Sequence, residues 1–332
     1  MREFLIGNLP LNLATRFNSN FTSTGPVNDT ALTFSSVSVA LVCMSDMRHL
    51  ARCIESLRRQ REAPAFEIVI ACAPGISGVE AARRRFPEAR IVVNDGQRTP
   101  LELASRAVRE CRGELILLTK DHCVPDPDWV RVMVDAQRKG RAVVGGRVEI
   151  DSGASATEWA FLFIDFFRYV GPVASGPAPF LTVCNAAYKR DELDTIRELW
   201  EKTFVETDIN DALRTRFGTL WLSAESQVTM YRRITLRDAI RERYTFGRLF
   251  GYSRVVRWTL ARRLVYALGA PALPFLLLGR MAGVAFGSHR NGRAFVRSIA
   301  PLTIIVLARC WGEWLAYLTG RYPRLWDRTE IS

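Results

Sequence analysis

The stretch Lys120-Asp121-His122-Cys123-Val124-Pro125-Asp126-Pro127-Asp128-Trp129 gathers carboxylates, an imidazole and an amine beside a proline-rich turn. Mg²⁺ and Mn²⁺ take oxygen ligands, and Mn²⁺ also accepts imidazole. A turn of this composition at the end of a strand is placed to meet a metal–diphosphate, whose charge grows as its bond to a leaving partner breaks. The same residues equally suit a surface turn in which Asp128 caps a helix. A second acidic stretch is Phe204-Val205-Glu206-Thr207-Asp208-Ile209-Asn210. By itself it reads as a helix start, where acidic side chains are favoured.

Such residues act together only if the fold brings them to one place. Apolar, β-rich runs predict buried strands over 37–43, 66–72, 90–93, 114–119 and 143–150. Helices are predicted between the first four, over 47–61, 78–86 and 99–112. In the first, Leu50, Cys53, Ile54 and Leu57 share one face. The alternation implies an α/β class, a doubly wound and mainly parallel sheet with right-handed crossovers. Ligands sit at the carboxyl ends of such strands, here 43–46, 72–75, 94–98 and 119–123. Helices follow over 126–139, 190–200 and 207–216. Residues 157–170 are rich in aromatics, and 171–180 form a Gly/Pro-rich loop.

The chain has 332 residues and a net charge of +12. A basic excess dominated by Arg seeks an anionic partner: nucleic acid, anionic lipid or a phosphorylated substrate. The arginines cluster beside apolar segments rather than along one polar face, which speaks against nucleic acid. Seven scattered cysteines without a CxxC argue against a disulfide framework or a zinc finger, and fit reduced thiols in a cytosolic setting. Residues 264–279 and 298–308 carry no charge. Extended across Arg280 and Arg309, each reaches a span of roughly 20 residues, enough for a membrane. Arg254, Arg257, Arg262 and Arg263 precede them, and Arg290, Arg293 and Arg297 lie between. Basic flanks on both sides give no clean orientation. A re-entrant or interface-lying pair fits, with a buried helical pair of a soluble domain as the alternative. The expected organisation is a flexible leader over 1–35, an α/β domain over 36–253, and basic, apolar, membrane-associated helices over 254–332.

Over about 37–320 the chain resembles the family 2 glycosyltransferases, a GT-A fold. The Lys120–Trp129 stretch resembles their short acidic metal-binding region, with Lys120 and His122 where acidic residues usually stand and Asp121 between them. The resemblance implies Asp121 and His122 as ligands of Mg²⁺ or Mn²⁺, a metal role that Lys120 complicates because a cation there repels the ion or partly replaces it. It implies donor contacts at Cys43, Ser45, Cys72, Asp95, Lys120 and Asp121. The second-strand tip, Ala71-Cys72-Ala73-Pro74, lacks the family's base-contacting Asp, a role that Asp95 could take instead. Thr182–Arg190 resembles the loop lining the acceptor side, with Asn185 in it. Glu206, and after it Asp208, matches the family's catalytic base, which takes the acceptor hydroxyl's proton in inverting transfer. Residues 241–251 resemble an Arg-rich, Gly-containing helix near the membrane. There Arg243 and Arg248 would bind the leaving diphosphate or lipid head groups. Ile240, Arg243 and Tyr244 depart from the Gln-x-x-Arg-Trp pattern of processive members. Trp311–Gly320 resembles the ending of membrane-associated members.

The expectation is an enzyme that moves a single sugar from a nucleoside-diphosphate sugar to a lipid or lipid-linked glycan. It would act at a membrane, with its catalytic domain cytoplasmic. The main rival is a non-catalytic GT-A-like protein that binds a partner or lipid. A nucleotidyltransferase would want a Gly-rich loop after the first strand, and Cys43-Met44-Ser45-Asp46 has no Gly.

Overall fold

The computed structural model describes residues 33–321, apart from 45–46, 96–98 and 257. The expected leader therefore lies almost wholly outside the described residues, and Ser45 lies outside them too. The strands are β1 Val37–Cys43, β2 Phe66–Cys72, β3 Ala89–Val93, β4 Leu115–Lys120, β5 Cys123–Pro125, β6 Val143–Ile150, β7 Gly176–Pro177, β8 Ala186–Lys189 and β9 Leu220–Met230. The helices are α1 Met47–Arg58, α2 Val79–Arg85, α3 Pro100–Glu110, α4 Trp129–Gln137, α5 Ala156–Phe166, α6 Arg190–Asp194, α7 Arg197–Trp200, α8 Glu206–Phe217, α9 Leu236–Val255, α10 Leu260–Gly269, α11 Leu273–Ala285 and α12 His289–Thr319.

Two compact units form, neither continuous in sequence. A sheet unit runs to Ser152 and resumes over Tyr169–Arg232, while a helical unit takes Gly153–Arg168 and the chain from Arg233. The boundary expected at 254 thus falls at 233, because α5 and α9 pack with the C-terminal helices. The aromatics of α5 explain why. Phe161, Phe163 and Ile164 share a buried cluster with Leu302, Ile305 and Val306 of α12.

The sheet unit has a nine-stranded sheet in the order β3-β2-β1-β4-β8-β6-β9-β5, with β7 on β9. Its β3-β2-β1-β4 half is parallel. The other half is mixed: β8 runs antiparallel to β4 and β6, and β9 is parallel to β6. Residues 186–189, taken from sequence as part of a loop, are a strand at the sheet's centre. The predicted helix over 190–200 breaks into α6 and α7.

Amphipathic helices cover both faces. Leu50, Cys53, Ile54 and Leu57 of α1 are essentially without exposed surface. Each full-sized apolar side chain buried in this way contributes about 1.5–3 kcal/mol. On the opposite face, α3 buries Leu103, Ala104, Ala107 and Val108 against Ala40, Val42, Ile116 and Leu118. Helix α3 begins with a reciprocal cap. Thr99 N donates to Glu102 Oε2 at 2.8 Å, and Glu102 N donates to Thr99 Oγ1 at 3.3 Å. That cap satisfies two backbone donors the helix itself leaves open.

In the helical unit, α9 and α12 approach backbone to backbone. A Cβ on Gly247 would strike the Arg309 carbonyl, so only glycine fits there. The arginines of α9 are engaged within the same unit. Arg243 pairs with Asp165 and with Glu242, and its guanidinium lies 4.7 Å from the Phe161 ring centre. Arg248 donates to Thr319 Oγ1 at 3.3 Å and to the Arg321 carbonyl at 3.2 Å, closing the end of α12.

Candidate active site

The turn after β4 is fixed from several sides. Asp121 N donates to the Val42 carbonyl at 3.0 Å, and Asp121 Oδ2 accepts from Met44 N at 2.9 Å. Its Oδ1 lies 3.0 Å from His122 Nδ1, and the residue has no exposed surface. One carboxylate thereby locks the tips of β1 and β4 together. Tyr231 N donates to the His122 carbonyl at 2.7 Å. Arg232 follows directly, and Arg52 of α1 lies 4.4 Å over the Tyr231 ring. Burial lowers the His122 pKa most. Asp121 opposes that shift, while the charges of Arg232 and Lys120 add to it. The net effect holds the His122 imidazole below its ordinary pKa.

Strand alternation sets the direction of Lys120. It shares a face with Ile116 and Leu118, whose core cluster also holds Leu181, Val183, Phe204 and Ile209. Phe204 and Ile209 flank Glu206, the first residue of α8. Glu206 Oε2 accepts from Val183 N at 2.8 Å, while Thr119 Oγ1 donates to the Cys184 carbonyl at 2.8 Å. The loop 181–185 is thus clamped between the tip of β4 and the start of α8. The Cys184 thiol feels both sides. Its pKa is lowered chiefly by its hydrogen bond with Cys123 and also by the charge of Lys120, while Glu206 raises it. Lys120 and Glu206 therefore belong to one polar neighbourhood on one face of the sheet. Asp208, two residues further along α8, is exposed.

Asn185 is a brace, in contrast to the acceptor contact expected of it. The side chain is fully buried. Its Nδ2 donates to the Arg147 carbonyl at 2.9 Å, and its Oδ1 accepts from Trp129 Nε1 at 2.8 Å and from Ser226 Oγ at 3.0 Å. Gly146 belongs to the same brace, since a Cβ there would collide with Asn185 Nδ2 and the Ser226 carbonyl. Cys43 and Cys72 face each other in the β1–β2 register, and neither has exposed surface. Their shared hydrogen bond is the main cause that pushes the Cys43 thiol up. At these tips the backbone, rather than sulfur, is what a ligand can meet. Asp95 is exposed one residue past Asn94, whose N–H donates to the Cys72 carbonyl at 3.1 Å. Arg243 belongs to the helical unit, with the partners given above.

The residues at the β4 turn do not fit a protein-held divalent cation. Both oxygens of Asp121 are engaged by Met44 and His122. Lys120 and Arg232 bring positive charge beside His122. Among the described residues, no group of three His, Cys, Asp or Glu is placed to hold a metal. The ligand pair Asp121 and His122 expected from sequence is therefore tied into the turn itself. Sequence reasoning missed Arg232, Arg52 and Thr119. The Arg232-Arg233 doublet was visible, but without β9 nothing tied it to the turn.

A parallel β/α half and a mixed extension define a GT-A-like fold. A mannosyltransferase from Pyrobaculum calidifontis, solved with GDP-Man and Mn²⁺, is similar at 14% identity and TM-score 0.50, over 92% of each chain. S. aureus TarS 1-349, solved with UDP-GlcNAc, is similar at 12% identity and TM-score 0.45, over 87% of this chain and 93% of that one. GalNAc-T7, solved with UDP, GalNAc and Mn²⁺, is similar at 13% identity and TM-score 0.46, over 60% of this chain. The chain spans 44% of GalNAc-T7. No curated protein matches the sequence. Residues 38–197 match the family model described as Glycosyl transferase family 2. Over that stretch, just under half of its length, the chain is similar to the family 2 glycosyltransferases.

Proposed function

We propose that the sheet unit transfers a single sugar from a nucleoside-diphosphate sugar to an acceptor hydroxyl with inversion, Glu206 acting as general base. The observation that carries this reading is the shared neighbourhood of Lys120 and Glu206 around loop 181–185. The carboxylate takes the hydroxyl's proton as the oxygen attacks the anomeric carbon, and the diphosphate leaves from the opposite face. Asp95 and the tips of β1 and β2 take the nucleoside in this reading.

The helical unit supports a membrane setting and hence a lipid or lipid-linked glycan as acceptor. The helical stretch Leu260–Ala285, α10 and α11 joined by a short helical turn, and α12 His289–Thr319 are long and apolar enough to cross a membrane. They leave Leu268 and Phe275 83% and 78% exposed, a surface that lipid would cover. Arg290, Arg293 and Arg297 near the start of α12 suit anionic head groups. A donor screen on the full chain extracted with its lipid, read as release of nucleoside diphosphate, tests the reading. Sustained release from one UDP- or GDP-sugar, dependent on a lipid-linked acceptor, is expected. No release from any donor would sink it.

A further inference from the structure

Transfer makes one demand that the β4 turn meets unusually. As the bond between sugar and diphosphate breaks, its electron pair stays with the diphosphate, whose negative charge must be met where it develops. We infer that Lys120 and Arg232 grip the donor's diphosphate directly, at the place where a protein-held divalent cation would otherwise stand. This inference rests on the transferase reading of the same site.

The geometry carries it in four steps. Lys120 is the last residue of β4, at the carboxyl end of a parallel strand, where ligands of such sheets bind. Its face of the sheet is the one that holds loop 181–185 and the flanks of Glu206. Arg232 is brought to the same turn by β9, because the neighbouring Tyr231 N–H bonds the His122 carbonyl at 2.7 Å. The one carboxylate of the turn, Asp121, is buried and bonded to Met44 and His122. A divalent ion would find two cations and an occupied carboxylate, so like-charge repulsion opposes it. A diphosphate finds the reverse: an ammonium point charge and a guanidinium fork, both suited to phosphate oxygens. The atoms balance without a metal. The acceptor oxygen bonds the anomeric carbon, Glu206 takes its proton, and the diphosphate leaves as an anion paired with Lys120 and Arg232.

Calorimetry on the full chain with UDP and GDP, each first in excess chelator and then with Mn²⁺, tests this. One of the two is expected to bind in chelator with nearly the affinity it shows with Mn²⁺. Lys120→Ala should weaken that binding roughly tenfold to a hundredfold, as losing a charge-assisted contact does. Binding of the bare nucleoside should not change, and Lys120→Arg should restore most of the loss. Thermal unfolding shows whether Lys120→Ala is folded; if it is not, Lys120→Gln replaces it in the same series. Binding seen only with Mn²⁺, or binding indifferent to residue 120, overturns the inference and leaves the transferase reading standing. No binding of either nucleotide under either condition removes that reading, and the inference with it.

Discussion

The two units treat charge and apolar surface in opposite ways. In the sheet unit the polar side chains near the strand ends turn toward one neighbourhood: Lys120, His122 and Arg232 at the β4 turn, and Glu206 across loop 181–185. Its exposed large apolar residues are few, such as Val93 and Leu101. In the helical unit Arg243, Arg248 and Arg254 close on neighbouring helices and aromatic rings. There the apolar residues face outward, from Val256 through Leu268 and Phe275 to Trp311 and Leu318. Directed charge is what a reaction on an anionic donor requires. Outward apolar surface is what a lipid-facing element requires.

The contrast is broken most directly at Glu206. Glu206→Gln keeps size and a hydrogen-bond acceptor for Val183 N but removes the base. The expected result is a loss of kcat on the order of 10²–10⁴-fold with the fold retained, measured by nucleoside diphosphate release and circular dichroism. Asp208→Asn, on the exposed side of the same helix, should leave kcat near wild type. Equal effects of the two would mean that both acids serve only the start of α8.

The helical unit is tested by making its outward surface polar. Leu268→Glu with Phe275→Glu replaces two side chains that touch little protein, so folding should persist. Binding to vesicles containing anionic lipid is expected to fall by at least about tenfold, since each buried side chain contributes about 1.5–3 kcal/mol. Release of nucleoside diphosphate with a water-soluble acceptor should be unchanged. Undiminished vesicle flotation would show that this surface does not face lipid.

The brace beneath the acceptor-side loop offers a smaller effect. Gly146→Ala drives a methyl into Asn185 and the Ser226 carbonyl. Destabilisation of roughly 1–3 kcal/mol is expected in urea unfolding, with KM raised more than kcat falls. An unchanged urea midpoint would remove Asn185 from its bracing role.

These residues also mark how far the sequence could be read. Strands β1 to β4 are legible because apolar residues dominate them, most completely in the buried runs Val37–Cys43 and Leu115–Lys120. The mixed half is not. Strand β8 is four residues of Ala, Ala, Tyr and Lys, with no β-rich pattern of its own. Strand β9 buries Ser223 and Ser226, whose polarity hides it from any apolar count. The site divides the same way. Lys120, Asp121, His122 and Glu206 stand in recognisable local stretches, whereas Arg232 gains its place only through the pairing of β9 with β5. Burial could not be read either. The thiols of Cys43 and Cys72 and the amide of Asn185 looked available in sequence and are enclosed.

The finest test asks whether buried charge in the sheet unit always serves the β4 turn. Glu192 of α6 is buried, pairs with Lys189 of β8, and has its pKa raised by burial from 4.5 to about 7. The folded protein thus holds this proton more tightly than the unfolded chain does. Its contribution to stability is full below pH 4.5 and is lost as pH rises through about 7. Glu192→Gln stays neutral throughout, so it should remove that slope. The melting temperature of wild type minus that of Glu192→Gln is expected to fall by a few degrees, on the order of 2–4 °C per kcal/mol for a unit of this size, between acidic and mildly basic buffer. Transfer activity at a fixed pH should be unaffected, since neither Glu192 nor Lys189 takes part at the β4 turn. A pH-independent difference, or one of opposite sign, would mean that Lys189 holds Glu192 ionised. Burial would then cost this carboxylate less than the pairing gives back.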